Sequence, residues 1–269
     1  MLFEKIIPYH TPACILLSNR LAATISTPTS ANMVLYLEQL EIVMGFLQHR
    51  TPLLQTPLFQ WHDVNSTCWY FEQYRCLYTL HTLLVSEAQT LFAAQKHKES
   101  KKLLAQAVDC CHKLLQLHWY RTPHVAAMPE MQQTHVLSKL LSTKGLYYYN
   151  AHCFKNTRIA AKLAYQLTEV ADCLWKATAN PTFTHKLLAE AHYAEATHTQ
   201  VFQEKLSYIT AAEQLVAKHN LHLPHVNELY ASILDANATV HYEQCTPISY
   251  PVLTVAQCLE FVSIKTETP

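Results

Sequence analysis

The chain has 269 residues, 50% of them hydrophobic, and balances 20 Lys+Arg against 20 Asp+Glu. That is enough apolar material for a large core without metal or disulfide, and the zero net charge excludes a general electrostatic attraction to nucleic acid or anionic membrane. With 2 Gly in all, the glycine-rich phosphate loops of Rossmann and P-loop folds are excluded as well. No shift in composition divides the chain, so residues 1–269 are expected to form a single compact domain. The segment up to residue 30 is a distinct arm: Pro8, Pro12 and Pro28 punctuate β-prone pieces at Ile6-Ile7 and Cys14-Ile15-Leu16-Leu17, which predicts a small sheet or an irregular stretch. The first clear helix opens at Thr29 or Ser30, a good N-cap. It carries Val34, Leu35, Leu37, Leu40, Ile42, Val43 and Phe46 as its apolar stripe and ends at Thr51-Pro52. A proline-punctuated connector follows over 51–63. Helical periodicity then predicts helices near 66–95, 97–118 and 130–152, the last two parted by Pro123 and Pro129, then 156–179, 182–219 with Pro181 at its start, and 225–243 after Pro224. Residues 254–269 are a C-terminal tail. Long helices on short connections predict an all-α stack of antiparallel hairpins, like a tetratricopeptide solenoid in hairpin length but without its 34-residue signature.

Catalytic and metal motifs are missing. Nine Cys include no CxxC pair; they fall mostly in apolar helical stretches, which predicts buried thiols in a reducing compartment. The short apolar run Ala13–Leu17 is too brief for a secretion signal, so a cytoplasmic location is expected. Among 17 His, the cluster His219, His222 and His225 surrounds Pro224 and is expected to be a solvated loop, while His192, Glu195 and His198 fit the surface of a helix. There is no HExxH and no GxSxG. Glu169, Asp172, Glu190 and Glu195 supply carboxylates that nothing in the sequence gathers into a cleft. A non-enzymatic protein without catalytic, cofactor or metal residues is therefore expected.

Several short stretches agree in order and spacing with one family. Ile159-Ala160-Ala161-Lys162-Leu163-Ala164 is similar to the Ile-x-Ala-Lys-Leu-Ala stretch of a Bro-domain helix. Phe59-Gln60-Trp61-His62-Asp63 resembles that family's Phe-x-Trp-x-Asp element, and Phe71-Glu72 its Tyr-Glu at the opening of the next long helix. Ala189-Glu190-Ala191-His192-Tyr193 and Ala211-Ala212-Glu213-Gln214-Leu215 resemble its long hairpin. Asn237 to Pro247 resembles its closing Asn-Asp-x-Ile-Tyr-x-Glu-x-Val-Pro, with His241 at the aromatic position and Pro247 one place late. The resemblance to the Bro domain of Alix-like adaptors is strongest over 55–253, and this chain is a shortened version.

The resemblance implies a protein-binding adaptor that accepts the C-terminal amphipathic helix of an ESCRT-III subunit by helix-in-groove recognition, and so a part in endosomal sorting and membrane remodelling. Carried over by motif, the binding patch comprises Tyr147, Ile159 and Leu163, the last two sharing a helical face by their spacing of four. The competing expectation places Tyr147-Tyr148-Tyr149 and Leu163 in the core. Gly145 stands where a larger residue is expected beside the patch. Tyr250-Pro251-Val252-Leu253 looks like a late-domain motif through Tyr250, Pro251 and Leu253, although it falls where the family's post-signature segment packs back on the domain. Recruitment to endosomal or other membranes is expected to come from partners, without direct insertion. The alternative function is a structural subunit of a larger assembly such as a virion, which predicts apolar patches elsewhere, for example on the face of Tyr70, Tyr74 and Tyr78.

Overall fold

The computed structural model describes residues 3–6, 12–47, 59–61, 64–67, 69–117, 132–155, 157–241 and 243–260. They fall into two compact units, Met1–Ala94 with Lys102–Leu137 and Gln95–Lys101 with Ser138–Pro269.

The first unit holds strand β1 (Phe3–Ile6), helices α1 (Pro12–Ser26) and α2 (Ser30–Leu47), strands β2 (Phe59–Trp61) and β3 (Val64–Thr67), helix α3 (Trp69–Ala93) and most of α4 (His97–Gln116). The strands form an antiparallel sheet in the order β1-β2-β3, with Phe3 opposite Trp61 and Phe59 opposite Thr67. The N-terminal arm thus supplies one strand of a small sheet whose other two strands come from 59–67, where a connector and a helix start were expected, and the run Cys14–Leu17 lies in α1 and not in a strand. Pro12 sits at the first position of α1, where its missing N–H is harmless. Leu17, Leu21 and Thr24 recur at helical spacing and are buried, so burial along one face overrides local β-propensity. The predicted ending of α2 at Thr51-Pro52 and the prolines 123 and 129 lie outside the described residues.

Thr29 does cap α2: its Oγ1 accepts from Asn32 N at 3.2 Å, and the Glu87 carboxylate accepts from Ser30 N and Oγ at 3.0 and 2.6 Å. Beneath that cap, Leu17, Tyr36, Leu40, Trp69, Leu77, Leu114 and Val136 share one core. Tyr74 is buried in it, with Tyr70 and Tyr78 packed against it, so that tyrosine face turns inward and is not a surface patch. Fully buried Glu72 accepts a 2.8 Å hydrogen bond from the Tyr36 hydroxyl. Burial, reinforced by the Glu72 charge, pushes the Tyr36 phenol well above its usual range. Tyr36→Phe is expected to cost about 2 kcal/mol in chemical denaturation, because it takes a donor from a buried carboxylate while sparing the ring's packing.

The second unit runs through α5 (Gln133–Lys155, from Ser138 on), α6 (Arg158–Leu174), a short 3-10 turn (Lys176–Thr178), α7 (Pro181–His198), α8 (Phe202–His219), α9 (Pro224–Ala236), a π-helical turn (Asn237–His241) and α10 (Val255–Glu260). Side-chain pairs fix the helix directions. Ser138 Oγ donates to Ala171 O at 2.9 Å, while Gly145 lies against Ala164 and Thr168, so α5 and α6 are antiparallel. Thr184 donates to Asp172 Oδ2 at 2.6 Å and Arg158 pairs with Glu195 at 3.5 Å, which makes α6 and α7 antiparallel. His185 stacks on His219 at 3.6 Å and His192 lies 5.9 Å from Tyr208, giving the same relation for α7 and α8. The expected all-α stack of antiparallel hairpins is therefore the architecture of this unit.

Its punctuation follows the sequence with one exception. Asn180 Oδ1 accepts from Phe183 N at 3.1 Å and Pro181 opens α7. Asn220, left-handed at φ 50°, ends α8 with Leu221 N bonded to Val216 O, a Schellman closure. The single helix predicted over 182–219 is instead two. Thr199 makes the break: its hydroxyl donates to Glu204 Oε2 at 2.8 Å and accepts from Val201 N at 3.4 Å, so a side chain satisfies backbone that a continuous helix would have bonded. Among the described residues no helix is long and apolar enough to cross a membrane.

Candidate protein-binding site

Helix α6 turns Ala160, Ala161, Ala164, Leu167, Val170 and Ala171 inward. The series Ile159, Leu163, Leu167 climbs from solvent into this interior in two turns. Ile159 is 69% exposed, Leu163 is half-buried and Leu167 is buried. Leu163 rests on a cluster of Leu141, Leu167, Val170, Ala171 and Cys258, together with Tyr148. The three tyrosines of α5 diverge. Tyr149 is buried edge-on to Phe183 at 5.9 Å, Tyr148 packs on the α6 cluster, and half-buried Tyr147 carries Lys101 Nζ 4.8 Å above its ring. Ile159 and Leu163 therefore form one continuous stripe, whereas it is Tyr148 that packs with Leu163 on that cluster. Tyr147 touches Tyr148 edge-on at 5.5 Å and so borders the stripe at one remove. The core reading of these residues holds fully for Tyr149 and in part for Tyr148 and Leu163, which are half-buried against the cluster.

Gly145 has a physical reason: a Cβ there would lie 2.3 Å from Thr168 Oγ1 and 3.2 Å from Ala164 O. The two helices cross too closely for the larger residue expected at that place.

An extended segment from Glu243 to Thr254 crosses the same unit. Thr246 N donates to Ser207 Oγ at 2.9 Å, Gln166 Nε2 donates to Pro251 O at 3.2 Å, and the Tyr250 hydroxyl donates to Ala191 O at 3.2 Å. The Tyr250 ring lies on His192 at 4.8 Å and 23°, near Tyr165 at 6.1 Å, with Lys162 Nζ at 5.4 Å on it. Leu253 and Val255 pack on the cluster that supports Leu163. Two of the three residues of the late-domain-like motif, Tyr250 and Leu253, are thus engaged by the protein's own helices, and Pro251 is held through its carbonyl.

The ionisable groups are distributed as clamps. Glu190, buried on α7, accepts from His225 Nε2 of α9 at 3.1 Å, while His152 Nε2 of α5 stands 3.8 Å from the same oxygen. Burial alone would raise the Glu190 pKa, but the two histidines outweigh it and hold it down at about 2. Glu195 pairs with Arg158, Asp172 accepts from Thr184, and Glu169 accepts from Tyr165, so no two of the four carboxylates share a partner. His192 is 3% exposed and belongs to the interior, not to the helix surface. His219 stacks on His185 at the end of α8, and His225 lies in the first turn of α9; of that trio only His222 is exposed. Among the described residues no group of three or more His, Cys, Asp or Glu is placed to hold a metal ion. Cys76, Cys110, Cys111 and Cys258 are buried as expected, but Cys153, Cys173 and Cys245 are exposed.

No protein-family model matches the chain, and no curated protein matches it.

Proposed function

We propose that the second unit is a docking scaffold which takes the apolar face of a partner's amphipathic helix on the α6 stripe. The observation that carries this reading is Ile159: a large aliphatic side chain 69% exposed on a helix whose opposite face is buried, continued one turn on by half-buried Leu163. Exposed aliphatics continuous with a rigid core provide anchors for a helix without prior ordering of a loop. Tyr147, beside Tyr148 at the edge of the stripe, would rim the site. By the resemblance of Ile159–Ala164 to a Bro-domain helix, the partner is an ESCRT-III C-terminal helix, and the protein is a cytoplasmic adaptor drawn to endosomal membranes by that partner. No catalytic step is part of this reading.

The test is binding of a fluorescent ESCRT-III C-terminal helix peptide to the wild type and to Ile159→Asp. Because Ile159 makes little of the core, the variant is expected to keep its circular dichroism spectrum and melting temperature while affinity falls at least tenfold, about 1.4 kcal/mol. Leu163→Asp would confuse lost binding with lost packing. A folded wild type that fails to bind the peptide sinks the reading.

A second reading, a structural subunit of a larger assembly, is favoured by one feature of the first unit. Helix α2 is apolar on both sides, burying Tyr36, Leu37 and Leu40 while exposing Val34, Leu35 and Ile42. A surface helix with aliphatics on its outer side suits burial against another protein.

A further inference from the structure

The segment that crosses the second unit is held by few polar bonds, and the ring of its central residue, Tyr250, rests on a histidine. We propose that residues 246–258 form a displaceable strap latched by the stack of Tyr250 on His192, and that protonation of His192 releases it. This rests on the geometry of the strap and not on the identity of any partner.

His192 lies on α7 beneath the strap, 3% exposed, and its buried Nδ1 has no hydrogen-bond partner among the described residues. Tyr250 covers the ring face-on at 4.8 Å and anchors to the carbonyl of the preceding residue, Ala191. A neutral imidazole tolerates such a place; an imidazolium does not, because a buried charge with an unsatisfied donor is expensive. No neighbour compensates. From α6, Lys162 reaches the Tyr250 ring, Tyr165 borders it, and the Arg158 charge is matched by Glu195 of α7. From α8, Tyr208 faces His192 at 5.9 Å, and Glu204 is taken by Thr199. Elsewhere on α7, Glu190 is held by His152 and His225, and His198 is bonded to Ala194 O. Lys162 would repel a charge beneath Tyr250. Burial alone accordingly lowers the His192 pKa from 6.5 to about 4.

The sign follows from linkage. With the strap closed, His192 binds its proton only near pH 4; with the strap open and the ring in water, near 6.5. Closure is therefore unaffected by this group above 6.5 and weakens as pH falls towards 4. From pH 7.5 to 5.5 the opening equilibrium should rise about tenfold. Release would bare the face of α6 and α7 under Tyr250 and Leu253, including the cluster beside Leu163.

Cys258 gives the readout: it is fully buried at the end of the strap, in α10, whereas Cys245 is exposed just before it. In the full chain, alkylation of Cys258 is followed by mass spectrometry and normalised to Cys245, which removes the common effect of pH on thiol reactivity. The wild-type ratio is expected to rise about tenfold between pH 7.5 and 5.5. In His192→Phe, which keeps an aromatic ring under Tyr250, it should change less than twofold, and in Tyr250→Ala it should be high at both values. A flat wild-type profile overturns the proposal, as does an unchanged profile in folded His192→Phe. If that variant does not fold, an NMR titration of His192 in the wild type decides: a midpoint below pH 5 supports the latch, and an ordinary midpoint overturns it.

Discussion

Glu190→Gln is expected to cost on the order of 3 kcal/mol at neutral pH. The carboxylate joins three helices through His152 of α5 and His225 of α9, and glutamine keeps its size while removing the charge and offering N–H groups where a histidine already donates. The pH profile distinguishes the clamp from mere packing. The folded pKa of about 2 lies below the ordinary 4.5, so the stabilisation is fully present above pH 4.5 and is lost as pH falls towards 2. Urea denaturation at a series of pH values should show the wild type losing stability through that acidic window, and Glu190→Gln should remove this share of the loss. Parallel profiles for the two proteins would show that the histidines do not stabilise the ionised carboxylate.

Gly145→Ala is expected to destabilise by about 2 kcal/mol, although alanine is the better helix former by about 1 kcal/mol. The new Cβ would lie 2.3 Å from Thr168 Oγ1, and retreat is limited by Ala164 O at 3.2 Å. Thr168 is buried and its Oγ1 has no hydrogen-bond partner, so trimming it costs little. The double variant Gly145→Ala, Thr168→Ala should recover most of the loss in thermal denaturation. Failure to recover it would place the strain in the backbone of α6 instead.

What could be read from the sequence tracks which forces are local. The starts of α2, α7 and α9 are marked by Thr29, Pro181 and Pro224, residues that act on the backbone beside them. The break at Thr199 carries no proline or glycine and depends on Glu204, five residues on, so periodicity ran through it. In α1, β-branched residues pointed to extended backbone, and the buried face of Leu17, Leu21 and Thr24 prevailed. The spacing of Ile159 and Leu163 set their common face, but not how steeply it descends into the core; that depends on Leu141 and Cys258, distant in sequence. His192 was assigned to the surface by its neighbours on α7, because the residue that covers it, Tyr250, is 58 positions away. The clamp at Glu190 is beyond the reach of local pattern for the same reason, its partners lying on α5 and α9.

The strap also bears on how the chain folds. In the second unit α6 packs with α7, α7 with α8 and α8 with α9, so each pairing closes a loop of a few residues and can form quickly. The bonds of the strap to Gln166 and Ala191 span 85 and 59 positions. Contacts of that range close only after the hairpins beneath them exist, and they add little to a transition state built from neighbours. Loss of the strap contacts should accordingly speed unfolding far more than it slows folding, so that residues 243–258 govern how long the native state persists rather than how fast it is reached.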